Sequence, residues 1–328
     1  MNKKKSFKFI MYIITFFLLV YVIKNTNFIL VLNSIQKIPL SLLIVTLSLQ
    51  ILTESLLSYQ WYRIALKMSL SGSYVDHFAS NCVESFFDAI SPGAKIGGEV
   101  MRIFFLKDEL GYTNQDAISL LTIQKAFSVS SFLILSIISI ISIFLNFTII
   151  DSFISRIFII IFAIFLLYVV LYFLLNSENI YQKLNSKNNK NKILSSLERW
   201  LSNFNNHILK FKTDFKELLI QVLISFGIWL IYPIKLFLLV SYFQDVNFFY
   251  LLAIVFISYF LGNIPILPGG LVAFEGSMTV LLMSMFQITY ETSFAISLIF
   301  RFVTYWFVIL LSMKGVFLWK HKKYVSQN

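Results

Sequence analysis

Charge is scarce in this chain. Only 13% of its 328 residues are Asp, Glu, Lys or Arg, about half the roughly 25% of a soluble domain. That scarcity excludes a soluble globular surface, a disordered polar chain, collagen and a coiled coil. Cysteine is nearly absent: Cys82 stands alone, so no internal disulfide can form. The three histidines, His77, His207 and His321, lie far apart and make no metal-site pattern. Enzyme signatures are missing too: there is no Gly-x-Ser-x-Gly, P-loop, Gly-x-Gly-x-x-Gly or His-Glu-x-x-His. Nor is there an Asp-x-Asp for a metal-bound nucleotide sugar. What the chain has is apolar surface: 58% hydrophobic residues, 36 of the residues Phe, and a mean hydropathy of +0.79. Such a surface faces a bilayer. In that setting the net charge of +11 reads as a positive-inside bias, not as nucleic-acid binding.

A membrane-crossing helix needs about 20 apolar residues. Runs of that kind lie at 7–23, 39–62, 117–144, 153–175, 218–243 and 293–313. The first follows Lys3, Lys4 and Lys5, as in a signal peptide. Lys24, Asn25 and Thr26 follow it instead of a small-residue cleavage site, so it reads as an uncleaved span. Two further stretches are broken. Residues 75–90 make only ~24 Å of helix, carry His77, Asn81, Glu84 and Asp88 on one face, and stop at Ser91-Pro92-Gly93. Residues 248–285 are interrupted by Pro265, Pro268, Gly269 and Gly270. Irregular backbone at membrane depth is tolerated only against protein or a watery cavity. The expected fold is all-α: a polytopic integral membrane protein of about six to eight transmembrane helices, with two re-entrant broken-helix elements.

Charge orients it. With the N-terminus inside, 21 of the 27 basic residues fall on the inner side and only Lys24, Lys37 and Arg156 outside. Both termini are therefore expected in the cytoplasm and the protein in the cell membrane. The chain reads as one transmembrane domain over 1–328: a first half at 1–175, a basic linker at 176–216 and a second half at 217–320. Within the linker, Ile193, Leu197, Trp200, Leu201, Phe204, Ile208 and Phe211 recur at helical spacing among basic residues. That pattern predicts an amphipathic helix on the inner membrane surface, with a plain basic connector as the alternative.

The two broken stretches share a pattern. Pro92-Gly93 begins seven residues before Glu99, and Pro268-Gly269 seven before Glu275. A basic residue, Lys125 or Arg301, follows each proline by 33 positions. The first stretch opens from the inside and the second from the outside, which predicts an inverted repeat with broken helices meeting near the midplane.

Several segments resemble a known family. QWYRIAL (60–66), SPGAKIGGEVMRIFFL (91–106), AISLLTIQKAF (117–127) and IPILPGGLVAFEG (264–276), followed by Arg301 and Tyr305-Trp306, are similar to the membrane region of the lysylphosphatidylglycerol synthases, the flippase-like domain family. The resemblance runs from about 49 to 320. It departs at Gln124-Lys125, where the family often has Glu-Arg, so an ion pair implied there loses its acid. The soluble aminoacyl-transferase domain of bifunctional members does not follow, so that catalysis is not carried over and an enzyme is not expected. The resemblance implies lipid transport: binding an anionic or aminoacylated (glyco)phospholipid and moving it between leaflets. The rivals are a membrane transferase acting on a polyprenyl phosphate or phospholipid, and a non-transporting partner of envelope biogenesis. Membrane lipids are the expected partners, with a second copy of the chain or a biosynthetic enzyme as further ones. No cofactor or metal is expected.

A charge at membrane depth costs about 2.5–3.5 kcal/mol on insertion scales, so each one needs a reason. Arg102 and Arg301 carry rigid forks suited to phosphate, and Lys125 adds a point charge. Helices restarting after Pro92-Gly93 and Pro268-Gly269-Gly270 would aim unpaired N–H groups at an anion. Glu99, next to Gly98, and Glu275 would steady those arginines or receive an amine or proton. For Arg301 and Glu275 a structural ion pair is the alternative. Glu54 and Gln124 are secondary candidates, Glu54 with a hydrogen-bonded helix contact as its alternative. Lys235, just after Pro233, reads as part of a kink. The stripe His77/Asn81/Glu84/Asp88 reads as facing water at the inner surface, with a polar vestibule as the alternative. Trp61 and Arg63 read as interfacial anchors.

Overall fold

The computed structural model describes residues 27–91, 96–146, 153–186, 192–263, 272–315 and 317. The run at 7–23, the residues Pro92, Gly93, Pro265, Pro268, Gly269 and Gly270, and the terminal basic residues Lys3, Lys4, Lys5, Lys8, Lys320, Lys322 and Lys323 lie outside the described residues. Among the described residues the ordered elements are helices: α1 (Phe28–Lys37), α2 (Leu40–Met68), α3 (Tyr74–Ile90), α4 (Ile96–Leu110), α5 (Asn114–Asn146), α6 (Phe153–Asn185), α7 (Lys192–Lys212), α8 (Phe215–Ser241), α9 (Phe248–Gly262), α10 (Ala273–Phe286) and α11 (Tyr290–Arg301). α11 runs on through a π-helical turn, Phe302–Trp306, to Gly315.

Five of these helices are long and apolar enough to cross a membrane: α2, α5, α6, α8 and the continuous 26-residue run from α11 to Gly315. They cover the expected spans that fall within the described residues. The two broken stretches come out short. α3 has 17 residues, and 248–285 divides into α9 with 15 and α10 with 14. At 1.5 Å per residue none of the three reaches ~30 Å.

Local chemistry sets the ends. Ser73 caps α3 in a reciprocal capping box with Asp76, satisfying two orphan donors at once. Asp214 caps α8 by accepting from the N–H of Glu217. α2 stops where Ser69 turns left-handed at φ 65°. Val272, at φ 71°, enters α10 in a backbone region that β-branched residues avoid. The Glu275 carboxylate accepts its N–H at 2.7 Å.

Among the described residues two large apolar cores result, beside a small one of Leu135, Leu252 and Phe256. One joins Trp61, Ile64 and Ala65 of α2 to Ala117 and Leu120 of α5 and to Leu201, Phe204 and Phe211 of α7. The other joins Leu236 and Leu239 of α8 to Leu251 and Ile254 of α9, Met278 and Leu282 of α10, and Ile296 and Phe300 of α11. The middle of α9 is buried on every side, with six consecutive residues from Leu251 to Phe256 inside, as expected for a helix that is apolar all round, while Phe249 and Phe260 toward its ends are exposed.

α7 corrects an expectation. Its aromatic stripe was expected in the membrane interface, but Phe204 and Phe211 are buried in the first core and Trp200 stacks on Phe173. Its lysines do specific work on protein. Lys210 donates to the carbonyl of Met68 at 3.0 Å and Lys212 to that of Leu175 at 3.2 Å. Lys210 thus serves a carbonyl left open at the end of α2, the site where a cation is favoured. Trp61 is likewise no interfacial anchor, since it is buried in the same core. Arg63 pairs with Glu217, tying α2 to α8.

Candidate functional site

A polar stripe runs down the inner face of α2. Thr46, Gln50, Thr53, Glu54 and Ser58 are all buried, three to four residues apart, so one helix face carries them. Opposite this stripe, α3 presents Asn81, Glu84 and Asp88. Between them lies a cavity of about 220 Å³, closed on the other side by α5, α8, α9 and the α11 region. Its polar wall is Glu54, Asn81, Glu84, Asp88, Lys125 and Arg301. Trp229, Tyr232, Tyr259, Phe274 and Tyr305 form the aromatic wall.

One hydrogen-bonded chain organises the first half of this wall. The two carboxylate oxygens of Glu54 accept from Gln50 Nε2 at 2.9 Å and from Asn81 Nδ2 at 2.8 Å. Asn81 Oδ1 in turn accepts from Arg102 Nη2 at 2.8 Å. Arg102 is fully buried, pairs with Glu84, and lies flat over the ring of Trp61 at 3.8 Å. Gln50 Oε1 accepts from Lys235, which is also fully buried and sits 4.1 Å from the ring of Tyr232. Lys125 bridges Glu99 at 2.9 Å and Glu84 at 3.9 Å. Gln124 is buried and donates to Gln60 at 3.1 Å.

The second half is simpler. Arg301 Nε lies 3.1 Å from Glu275 Oε1. Its guanidinium lies over the rings of Phe274, at 4.7 Å, and Tyr305, at 4.2 Å, cation–π contacts that suit Arg. The Tyr305 hydroxyl donates to the carbonyl of Ala89 at 3.1 Å, linking the π-helical turn to the end of α3. π-turns inside α-helices often accompany functional sites.

The structure brings some of these residues together and keeps others apart. Glu275 does hold Arg301. Glu99 does not hold Arg102: it takes Lys125, and Arg102 takes Glu84. The acid missing before Lys125 is thus supplied from α4. Lys125 and Arg301 line the cavity, whereas Arg102, Glu99 and Glu275 stand behind the wall. Gly98 packs closely, its N–H donating to Asp88 at 2.8 Å. Pro92, Gly93, Pro268, Gly269 and Gly270 lie outside the described residues.

On α3, His77, Asn81 and Glu84 are buried and Asp88 is half-buried; Asn81, Glu84 and Asp88 line the cavity, in the manner of a polar vestibule, instead of facing water at the inner surface. Lys235 is no mere neighbour of the proline kink but a member of the network. Gln50 and Tyr232 escaped notice altogether. Their signal was present in the Gln50–Glu54 spacing of four and the Tyr232–Lys235 spacing of three, each on one face of an apolar span. Among the described residues no group of three or more His, Cys, Asp or Glu could hold a metal. The arrangement can seat a charged group: two cations and three carboxylates line one aromatic-walled space.

Comparison with known proteins adds two findings. The family model described as the lysylphosphatidylglycerol synthase TM region matches residues 9–312. A UPF0104 membrane protein of Methanothermobacter thermautotrophicus is 21% identical over 299 residues, covering 87% of this chain and 87% of its own. Family and apolar helices together make the chain a multi-pass membrane protein.

Proposed function

The chain belongs to the lysylphosphatidylglycerol synthase transmembrane-region family, and from that premise we propose that it binds an anionic or aminoacylated (glyco)phospholipid in its central cavity and carries it between leaflets. The observation that carries this reading is the seating of Arg301. It lines the cavity on a membrane-spanning helix, in contact with two aromatic rings and one carboxylate. An ion pair with only a packing role would not need to face a polar space. Phosphate recognition uses such a preorganised fork, and Lys125 stands on the same wall as a second positive charge.

The transport part rests on the matched halves. By the spacing of the sequence, Lys125 corresponds to Arg301 and Glu99 to Glu275, and each cation lies within about 3 Å of its own acid. The short helices α3, α9 and α10 supply the broken elements of an inverted repeat, re-entering from opposite sides with the site between them. The basic distribution supports cytoplasmic termini and a cell-membrane location as part of this reading.

The test is leaflet exchange of a fluorescent phosphatidylglycerol in phosphatidylcholine liposomes containing the full chain. Exchange without covalent change to the lipid is expected, and Arg301→Gln should abolish it. Exchange no faster than in empty liposomes would refute the transport reading.

A further inference from the structure

The two matched ion pairs differ in what lies around them. Arg301 and Glu275 are closed in, with 7% and 10% of their side chains exposed. Lys125 and Glu99 are open, at 33% and 30%. Lys125 lines the cavity, so part of its exposure faces inward. Glu99 does not line it, so its open edge looks outward. Lys125 therefore stands astride the wall. It lies 2.9 Å from Glu99, outside the cavity, and 3.9 Å from Glu84, which faces in.

The neighbours show what the outward edge meets. On α4, Ile96, Val100 and Phe104 are exposed at a spacing of one turn, a stripe that borders Glu99. On α5, exposed Ile118 and Val129 share one face with Thr122 and Lys125, at spacings of three and four. On membrane helices such apolar stripes face acyl chains. Depth follows from the start of α5, where Asp116 accepts from Asn203 and pairs with His207 of α7, a polar end suited to the membrane surface. From Asn114 to Lys125 the helix climbs about 16 Å at 1.5 Å per residue, roughly half of a ~30 Å apolar core. Charge at that depth is expensive, and it pairs, faces a cavity or marks a substrate pathway. Here the charges pair and still keep an edge open toward the lipid. An ammonium has three donors. Lys125 can thus receive a phosphate oxygen while it keeps Glu99.

We propose that the seam between α4 and α5 is the doorway by which a phospholipid headgroup passes from the bilayer into the cavity, with Lys125 receiving its phosphate on the way. The acyl chains stay outside, along Ile96, Val100, Phe104, Ile118 and Val129. The closed pair of Arg301 and Glu275 makes the second half the far wall. The inference rests on the lipid reading and adds the side of entry to it.

Two measurements test it on the full chain in phosphatidylcholine liposomes. In the first, photoreactive benzoylphenylalanine replaces either Thr122, in the seam, or Phe165, exposed on α6. The liposomes contain a minority of phosphatidylglycerol, and lipid adducts are identified by mass spectrometry. Phosphatidylglycerol should be captured several-fold above its share of the bilayer at position 122 and at its share at position 165. Lys125→Gln should remove the excess. Equal capture at the two positions would overturn the proposal. In the second, bulk fills the seam. Thr122→Trp should slow leaflet exchange of fluorescent phosphatidylglycerol several-fold, and Phe165→Trp should leave it unchanged. Exchange at the parent's rate in Thr122→Trp would overturn the proposal. Should Thr122→Trp fail to fold, Val129→Trp takes its place with the same expectation. The doorway and the transport reading fail separately. Excess capture at position 122 in a chain that exchanges no lipid supports the seam as a headgroup site and removes transport. Normal exchange with a filled seam and no excess capture keeps transport and removes the doorway.

Discussion

The two Pro-Gly…Glu…basic blocks start alike and end differently. Each places an acid on a short helix and a cation on the following span, and each pair closes: Glu99 with Lys125, Glu275 with Arg301. Three residues after each acid the halves part. The first has Arg102 and the second Met278. Eighteen residues before those stand Glu84 and Phe260. Arg102 and Glu84 form a buried ionic network joined to Asn81 and Glu54, whereas Met278 is plain apolar core. The lesson is a division of labour on one frame. The second half offers a pre-aimed Arg to the cavity. The first half offers a Lys backed by a buried ionic network. A buried charge network is costly to hold and costly to break, so its presence on one side only argues for a task there beyond packing.

The comparison is broken most violently at Arg102. Arg102→Met removes the main partner of the Glu84 carboxylate, leaving Lys125 at 3.9 Å, and should lower stability by up to about 3–5 kcal/mol, the cost of breaking a buried pair. Adding Glu84→Met should recover most of it, read as melting temperature in one detergent. No loss in the single variant would mean that the network is not what holds α3 and α4 together.

Gly98→Ala comes next. A Cβ there would run into the carboxylate of Asp88 and the carbonyl of Glu84. Overpacking of that kind costs about 1–3 kcal/mol, again read by thermal melting. The matching position of the second half is Phe274, so this tight approach belongs to the first half only. Wild-type stability in Gly98→Ala would show that α3 and α4 can separate freely.

Arg301→Lys sharpens the contrast. The point charge keeps the pair with Glu275 but loses the fork that lies over Phe274 and Tyr305. Stability should fall by about 1 kcal/mol or less, in the range of a cation–π contact, while lipid exchange drops far more. Equal losses of stability and exchange would instead assign Arg301 a packing role.

The smallest effect lies outside the membrane spans. Lys67 donates to Asp214 at 2.6 Å and holds its carboxyl below the usual carboxylate range. The sign follows from linkage. The contribution is present above the ordinary carboxylate range and is lost as pH falls through the depressed one. Lys67→Ala should flatten the acid limb of a stability–pH curve slightly. An unchanged limb would show that this exposed pair adds nothing.

How much of this was legible beforehand follows from what each signal encodes. Apolar runs encode spans, so α2, α5, α6, α8 and α11 were readable, and prolines marked where 248–285 divides. Pairing within the motif was readable for Arg301, because its acid sits at the motif's own spacing. Arg102 was misassigned because its acid, Glu84, lies on a different helix, and spacing along one chain cannot report which helices meet. Periodicity found the apolar face of α7 but not what covers it, since lipid and protein reward the same stripe. Lys235 was hidden by Pro233: a local explanation masked a long-range partner, Gln50, on another helix.

The central claim is that a lipid headgroup occupies the space between the two halves. Photo-crosslinking with a headgroup-labelled phosphatidylglycerol, followed by mass-spectrometric mapping of the adducts, tests it most directly. The account predicts adducts on cavity-lining residues such as Trp229 and Tyr305, diminished in Arg301→Gln. Adducts confined to outward-facing residues such as Ile161 and Leu175, with equal yield in Arg301→Gln, would contradict it.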